Sequence, residues 1–227
     1  MSRLLRDDPY VDWEGDGLLR FRLTYQGLLL SAASRGRVAD ARASHKHQIR
    51  KTIHPQLRKL WETNSFLQRH NAHPQISNRA EWGSLQPHNT IEGLSRRFSI
   101  NGYNFVPLIT RDHRSICSID VLYLRDSAPG SVFDQGDIDN RLKSLFDGLT
   151  MPRDALQLGQ YTSPEPDEVP FFCLLEDDSL ITRASVETDT LLQPTGASQT
   201  DNDARVIITV TTSVTELTPF NVGFAAF

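Results

Sequence analysis

Chemistry is concentrated in GDIDNRLKSLFD, residues 136–147, where Asp137 and Asp139 stand at the mouth of a segment with helical apolar spacing and Lys143 lies one turn inside it. Carboxylates two residues apart on an extended chain point to the same side. At a helix N-terminus the free amides and the dipole favour the negative charge of Asp139. Lys143 and then Asp147 follow at steps of four, so Asp139, Lys143 and Asp147 share one face. A second acidic run, Glu176-Asp177-Asp178, falls at a turn between two apolar runs, where short polar side chains are exposed and aimed. Gathered carboxylates repel, and a hard divalent cation with oxygen ligands, Mg2+ or else Mn2+, is the simplest compensation. The same residues have a plainer use, since an Asp before a helix caps it and an Asp pair in a turn sits in water. Spacing alone leaves both readings open.

The surrounding pattern predicts the elements that must hold these groups. Leu18 to Gln26 alternates Leu19, Phe21, Leu23 and Tyr25 with polar residues, the period of a half-buried strand. With Ser44 as N-cap, Ile49, Ile53, Leu57, Leu60 and Trp61 recur at helical spacing, and Pro55 predicts a bend or restart. Residues 71–95 keep no period and predict a long surface connection. FSINGYNFVPLIT and SICSIDVLYLRD read as an antiparallel hairpin joined by RDHR. In the motif segment Leu142, Leu145, Phe146 and Leu149 stand at i, i+3, i+4 and i+7, which predicts a helix docked on a sheet. Residues 151–170, rich in Pro and acid, predict a mobile insertion. FFCLL, a turn at EDD, SLITRASVETD and finally ARVIITVTTSV supply the last strands. The sum is an α+β domain with a mixed or antiparallel sheet of about five to six strands and two main helices packed on it. No composition break demands a second domain, so residues 1–227 read as one unit: 18–135 carry the first strand, basic helix and hairpin, and 136–215 the acidic motif and last strands.

Composition narrows the function classes. The 227 residues suffice for a packed core without metal or disulfide staples. Hydrophobic residues make up 38%, and no apolar run approaches the roughly 18 to 20 residues of a membrane span. The start MSRLLRDDPYVDWEGDG lacks the regions of a signal peptide, which predicts a cytoplasmic protein with no membrane partner. Cys117 and Cys173 sit in apolar, strand-like runs and make neither a disulfide framework nor a zinc site. A net charge of -4 argues against a uniformly basic coat, yet the charge is segregated. Nine Lys or Arg from Arg35 to Arg69 face only Asp40 and Glu62, whereas nine acids from Asp154 to Asp189 face only Arg183. Such polarity suits a protein that holds phosphates in one place and a cation in another.

Lys46, Arg50, Lys51, Arg58 and Lys59 of the basic segment, with Arg141 of the motif helix, are the candidate nucleic-acid contacts, because phosphates are neutralised by such side chains without sequence reading. A solvated helix face is the alternative. His45, His47 and His54 lack the spacing of helical zinc pairs and are expected at the surface or facing phosphates. Trp61 and Phe66 are expected in the core, and Trp82 is able to stack at a branch point.

DIDNRLKSLFDGL followed by EDDSLI resembles the RusA family of Holliday junction resolvases, whose pattern is an Asp-x-Asp-Asn-x-x-Lys segment, an Asp-Ala-Leu-like end to the same helix and a later Asp-Asp turn before a strand. The specific part is 137–181, within an outline similarity over 18–215. The resemblance implies a RusA-like fold, with Asp137, Asp139 and Asp178 as catalytic metal-binding carboxylates, Lys143 as the catalytic lysine and Asp177 assisting. It implies a Mg2+-dependent endodeoxyribonuclease for Holliday junctions or related branched DNA in recombination and repair, working as a homodimer on a four-way junction. The ion would lower the pKa of water and neutralise a phosphate oxygen, while Lys143 stabilises developing charge. The longer link from Asp147 to Asp178 and the longer N-terminal half depart from the family. Glu187 and Asp189 stand where members often carry a basic residue, so that phosphate contact is either absent or supplied by Arg183. The alternatives are a catalytically inert RusA-like DNA-binding or regulatory module and a nuclease of other specificity, cutting flaps or serving phage defence.

Overall fold

The computed structural model describes residues 19–31, 38–72, 90–125, 138–192, 203–218 and 221–225, and within them the chain is α+β with two mixed sheets. In chain order the elements are β1 (Arg20–Leu28), α1 (Val38–Thr63), α2 (Ser65–Ala72), α3 (Ile91–Arg97), β2 (Ser99–Ile100), β3 (Tyr103–Ile109), β4 (Ser115–Arg125), α4 (Ile138–Leu149), β5 (Phe171–Leu175), β6 (Ile181–Thr190) and β7 (Asp203–Val214).

Strict alternation builds three strands of the larger sheet, which is ordered β1-β7-β4-β6. Leu23 and Tyr25 of β1, Cys117, Ile119, Val121 and Tyr123 of β4, and Val206, Ile208 and Val210 of β7 turn into one core. Residues between them on β4 and β7 are half-buried, so one face stays near solvent. Ile49, Ile53, Leu57 and Trp61 of α1, spaced by four, pack into the same core. The smaller sheet, β2-β3-β5, has a different signature. In FVPLI and FFCLL every residue is buried without alternation, as in strands covered on both faces, and β3 and β5 run parallel.

The expected hairpin is therefore corrected: β3 and β4 belong to different sheets. Between them the Ser115 hydroxyl accepts from Thr110 N at 2.9 Å and donates to Thr110 O at 3.1 Å, so the turn satisfies its own polar groups without a ladder. The hairpin that does form lies inside FSINGYNF, where Asn101 and Gly102 both take positive φ, 50° and 83°. The chain makes a second crossing between the sheets without an intervening α-helix from β5 to β6, beside the one from β3 to β4. Glu176 N donates to Ile109 O at 2.9 Å, and the Glu176 carboxylate accepts from Arg111 N at 2.9 Å. In place of one sheet of five or six strands there are four strands and three, and the two crossings made without an intervening α-helix lie side by side.

The helices also depart from expectation. α1 begins at Val38, so Ser44 lies inside it, and the helix runs on through Pro55. The helical run stops at Thr63, and the Asn64 side chain accepts from Leu67 N at 3.0 Å to start α2. Within the stretch expected to be a connection, Thr90 caps α3 by accepting from Gly93 N at 3.0 Å. α4 meets α1 and the end of β5, and its Leu145 and Leu149 join the core faced by the larger sheet. Gly148 permits this approach, since a Cβ there would stand 2.6 Å from Ile49 Cγ2. Met151 N then donates to Leu175 O at 2.9 Å, which fastens the end of α4 to the end of β5. No helix among the described residues is long and apolar enough to cross a membrane.

Gly148→Ala is expected to destabilise the protein by about 1–3 kcal/mol through overpacking against Ile49. Urea unfolding of wild type and variant measures it, and an unchanged midpoint would show that the helices do not meet there.

Candidate active site

The tie between the ends of α4 and β5 brings the polar face of the helix alongside the second crossing. Asp139, Leu142, Lys143, Phe146 and Asp147 of α4 line an open depression of about 410 Å³ together with Asp178 and Ile181. Asp139 and Lys143 are exposed there, and Leu142 and Phe146, half-buried, supply apolar wall. Asp137 lies outside the described residues, as does Trp82.

Asp177 and Asp178 are adjacent but differently used. Asp177 caps the short 3-10 turn Asp178–Leu180, its Oδ1 accepting from Ser179 N at 3.1 Å and from the Ser179 hydroxyl at 2.5 Å. The hydroxyl bond first, then the Ser179 amide and the nearby Arg153 and Arg111, hold its carboxyl below the usual range. Asp178 is left exposed on the depression.

The cations beside these carboxylates were missed in the sequence because they lie on turns with no periodicity to flag them. Arg153 Nη2 stands 3.1 Å from Asp177 Oδ2 and 3.5 Å from Asp178 Oδ1. Arg111 Nη2 stands 3.3 Å from Asp177 Oδ1 and donates to Ser179 Oγ at 3.1 Å. Asp147 pairs with Lys46 at 2.6 Å. Among the described residues no group of three His, Cys, Asp or Glu side chains is gathered closely enough to hold a metal ion. Asp139 and Asp178 nonetheless bring two hard oxygen donors to one depression, a donor set that fits Mg2+ or Mn2+.

Much of the basic segment faces inward. Arg50 is 2% exposed and donates to three carbonyls, Asp147 O at 2.8 Å, Thr150 O at 2.6 Å and Gln157 O at 3.1 Å. Burial lowers its pKa to about 10, which still leaves it charged at neutral pH. Lys51 pairs with buried Glu168 at 2.8 Å and lies over the Tyr161 ring. Arg58 is half-buried beside His54, Lys59 is exposed, and Arg141 is buried, donating to the Tyr123 hydroxyl at 3.4 Å. Arg183 pairs with Asp120 at 2.9 Å. Arg50 and Arg141, expected as phosphate contacts, are thus enclosed by the fold.

The acidic stretch 151–170, expected to be mobile, is an ordered strap across α1. Gln160 N donates to Ser44 Oγ at 2.9 Å, the Tyr161 hydroxyl donates to Gln48 Oε1 at 2.7 Å, and Gly159 at φ 62° lets the strap meet Ser44. His54 accepts on Nδ1 from Phe172 N at 2.8 Å, which leaves Nε2–H to donate to Asp167 O at 3.1 Å. His47 is fully buried among Tyr103, Tyr161 and Phe171. His47 and His54 are therefore interior, not phosphate-facing.

Burial, reinforced by Arg50 and Lys51, pushes the His47 pKa from 6.5 down to about 3. The unfolded chain takes its proton near the ordinary value and the folded chain only near the lower one. This contribution to stability is complete above the higher pKa and is lost as pH falls through the lower. Burial lowers His45 and His54 as well, in the same direction. His47→Phe is expected to flatten the loss of unfolding free energy on acidification from neutral pH, measured by urea titrations at neutral and mildly acid pH. An undiminished slope would place the buried proton-free group elsewhere.

No family model, curated protein or solved structure matches the chain.

Proposed function

We propose that the chain is a cytoplasmic, Mg2+-dependent, structure-selective endodeoxyribonuclease of RusA type that acts as a homodimer on four-way or related branched DNA. One observation carries this reading: Asp139 and Lys143 from a helix and Asp178 from a distant sheet crossing line the same open depression, with Asp147 beside them. Asp139 and Asp178 are the residues that would hold the ion, with Asp137 as their third partner. An ion held there would supply Lewis acidity toward a phosphodiester and lower the pKa of water. Lys143 presents an ammonium on the face of the helix that carries Asp139, where it stabilises charge building on the phosphate oxygens. Leu142, Phe146 and Ile181 supply apolar wall beside these charges. A two-fold pair of such sites would nick opposite strands of one junction.

A second reading, a DNA-binding module without turnover, draws on the ion pairs that already compensate Asp147 and Asp178 with Lys46 and Arg153.

The test is cleavage of a synthetic four-way junction beside linear duplex, flap and single-stranded controls, in Mg2+ or EDTA, by wild type, Asp139→Asn and Lys143→Ala. Symmetric, metal-dependent nicking of the junction is expected, with losses of at least about a hundredfold in each variant. Binding of branched DNA without cleavage in any metal would favour the module, and preferential flap cutting would change the substrate but keep the site.

A further inference from the structure

Arg153 stands at the edge of the depression in an unusual position. Its guanidinium bridges Asp177 and Asp178, at 3.1 Å and 3.5 Å, while its side chain remains 65% exposed. An ion pair so open to water is weak and easily exchanged. Arg111, from the β3–β4 connection, is similarly exposed but reaches Asp177 and Ser179 Oγ, with no ion pair to Asp178. Arg183 is committed to both oxygens of Asp120, at 2.9 Å and 3.1 Å, and Arg50 is enclosed. Arg153 is therefore the arginine paired with Asp178, the carboxylate that lines the depression, and its exposed guanidinium can leave at small cost.

Two properties of the site give that freedom a use. A cation taken up by Asp178 places positive charge beside the Arg153 guanidinium and repels it. A guanidinium fork matches a phosphate as well as a carboxylate, with paired hydrogen bonds in either case. We infer that Arg153 is an exchangeable counter-cation: it neutralises Asp177 and Asp178 in the free protein, and turns to a backbone phosphate of bound DNA when a divalent ion occupies Asp178. The identity of the polyanion rests on the endonuclease reading. The exchange itself rests on the exposed bridge.

Two measurements on the whole chain test this, with Arg153→Gln, Arg153→Lys and, as matched control, Arg96→Gln. Mn2+ binding without DNA, followed by the loss of free-ion electron spin resonance signal, is expected to tighten several-fold in Arg153→Gln, because a competing cation has gone. Binding of a four-way junction in Ca2+, followed across a salt series, is expected to weaken about tenfold in Arg153→Gln, with the log–log salt slope shallower by about one. Arg153→Lys should retain most of the slope and lose part of the affinity, while Arg96→Gln, which removes an exposed arginine paired with Glu92 away from the site, should behave as wild type in both. If wild type binds the junction and Arg153→Gln binds it equally, or if Mn2+ affinity does not change, the role given to Arg153 is wrong while the endonuclease reading stands. If wild type binds no nucleic acid, both fall together.

Discussion

The Arg50 guanidinium is the fastening on which the rest of the arrangement depends. A helix leaves its last carbonyls without partners, and its dipole makes that end negative. Arg50 meets this need at α4 by donating to the carbonyls of Asp147 and Thr150, and with its remaining arm it takes Gln157 O from the strap. One side chain of α1 thereby positions both the motif helix and the segment that follows it. Burying a charge is tolerable only because each arm is satisfied. Gly148 completes the contact by removing the side chain that would otherwise hold α4 away from Ile49.

From this fastening the site follows. The end of α4 is tied to the end of β5, and the chain then turns at Glu176–Leu180 into the other sheet. Ladder pairing lapses at that crossing, so Asp177 and Asp178 are free to take positions a regular strand would deny them. Asp177 spends its oxygens on Ser179 and two arginines, whereas Asp178 reaches the depression shared with Asp139 and Lys143. Carboxylates gathered by the fold are balanced by Lys46, Arg111 and Arg153, each from a different segment. Their mutual repulsion is thus met by protein cations as well as by any ion they would bind.

The segregation of charge along the chain has a related outcome. A basic stretch and an acidic stretch suggested two separate surfaces, one for phosphates and one for a cation. Much of each is instead used against the other, with Lys51 on Glu168 and Lys46 on Asp147, because opposite charges brought together by the fold neutralise within the molecule. Lys59 is still exposed on α1, and at the site the exposed cations are Lys143 of α4 and, from turns, Arg111 and Arg153.

Alternation in β1, β4 and β7, the four-residue stripe of α1 and the polar line Asp139-Lys143-Asp147 were determined by the sequence itself, since local period dictates which side chains share a face. Two further signals were legible but overlooked: Asn101-Gly102 as a hairpin turn, and the unbroken burial-type runs FVPLI and FFCLL as parallel strands. Tertiary structure alone decided that β3 and β4 part into different sheets, that residues 151–170 form a strap, and that Arg50 faces inward. Each depends on partners distant in the chain, such as Ser44 with Gln160 or Arg50 with Gln157. A pattern of neighbouring residues carries no record of such pairings; they arise when buried polar groups must find partners and the packed chain offers only certain ones.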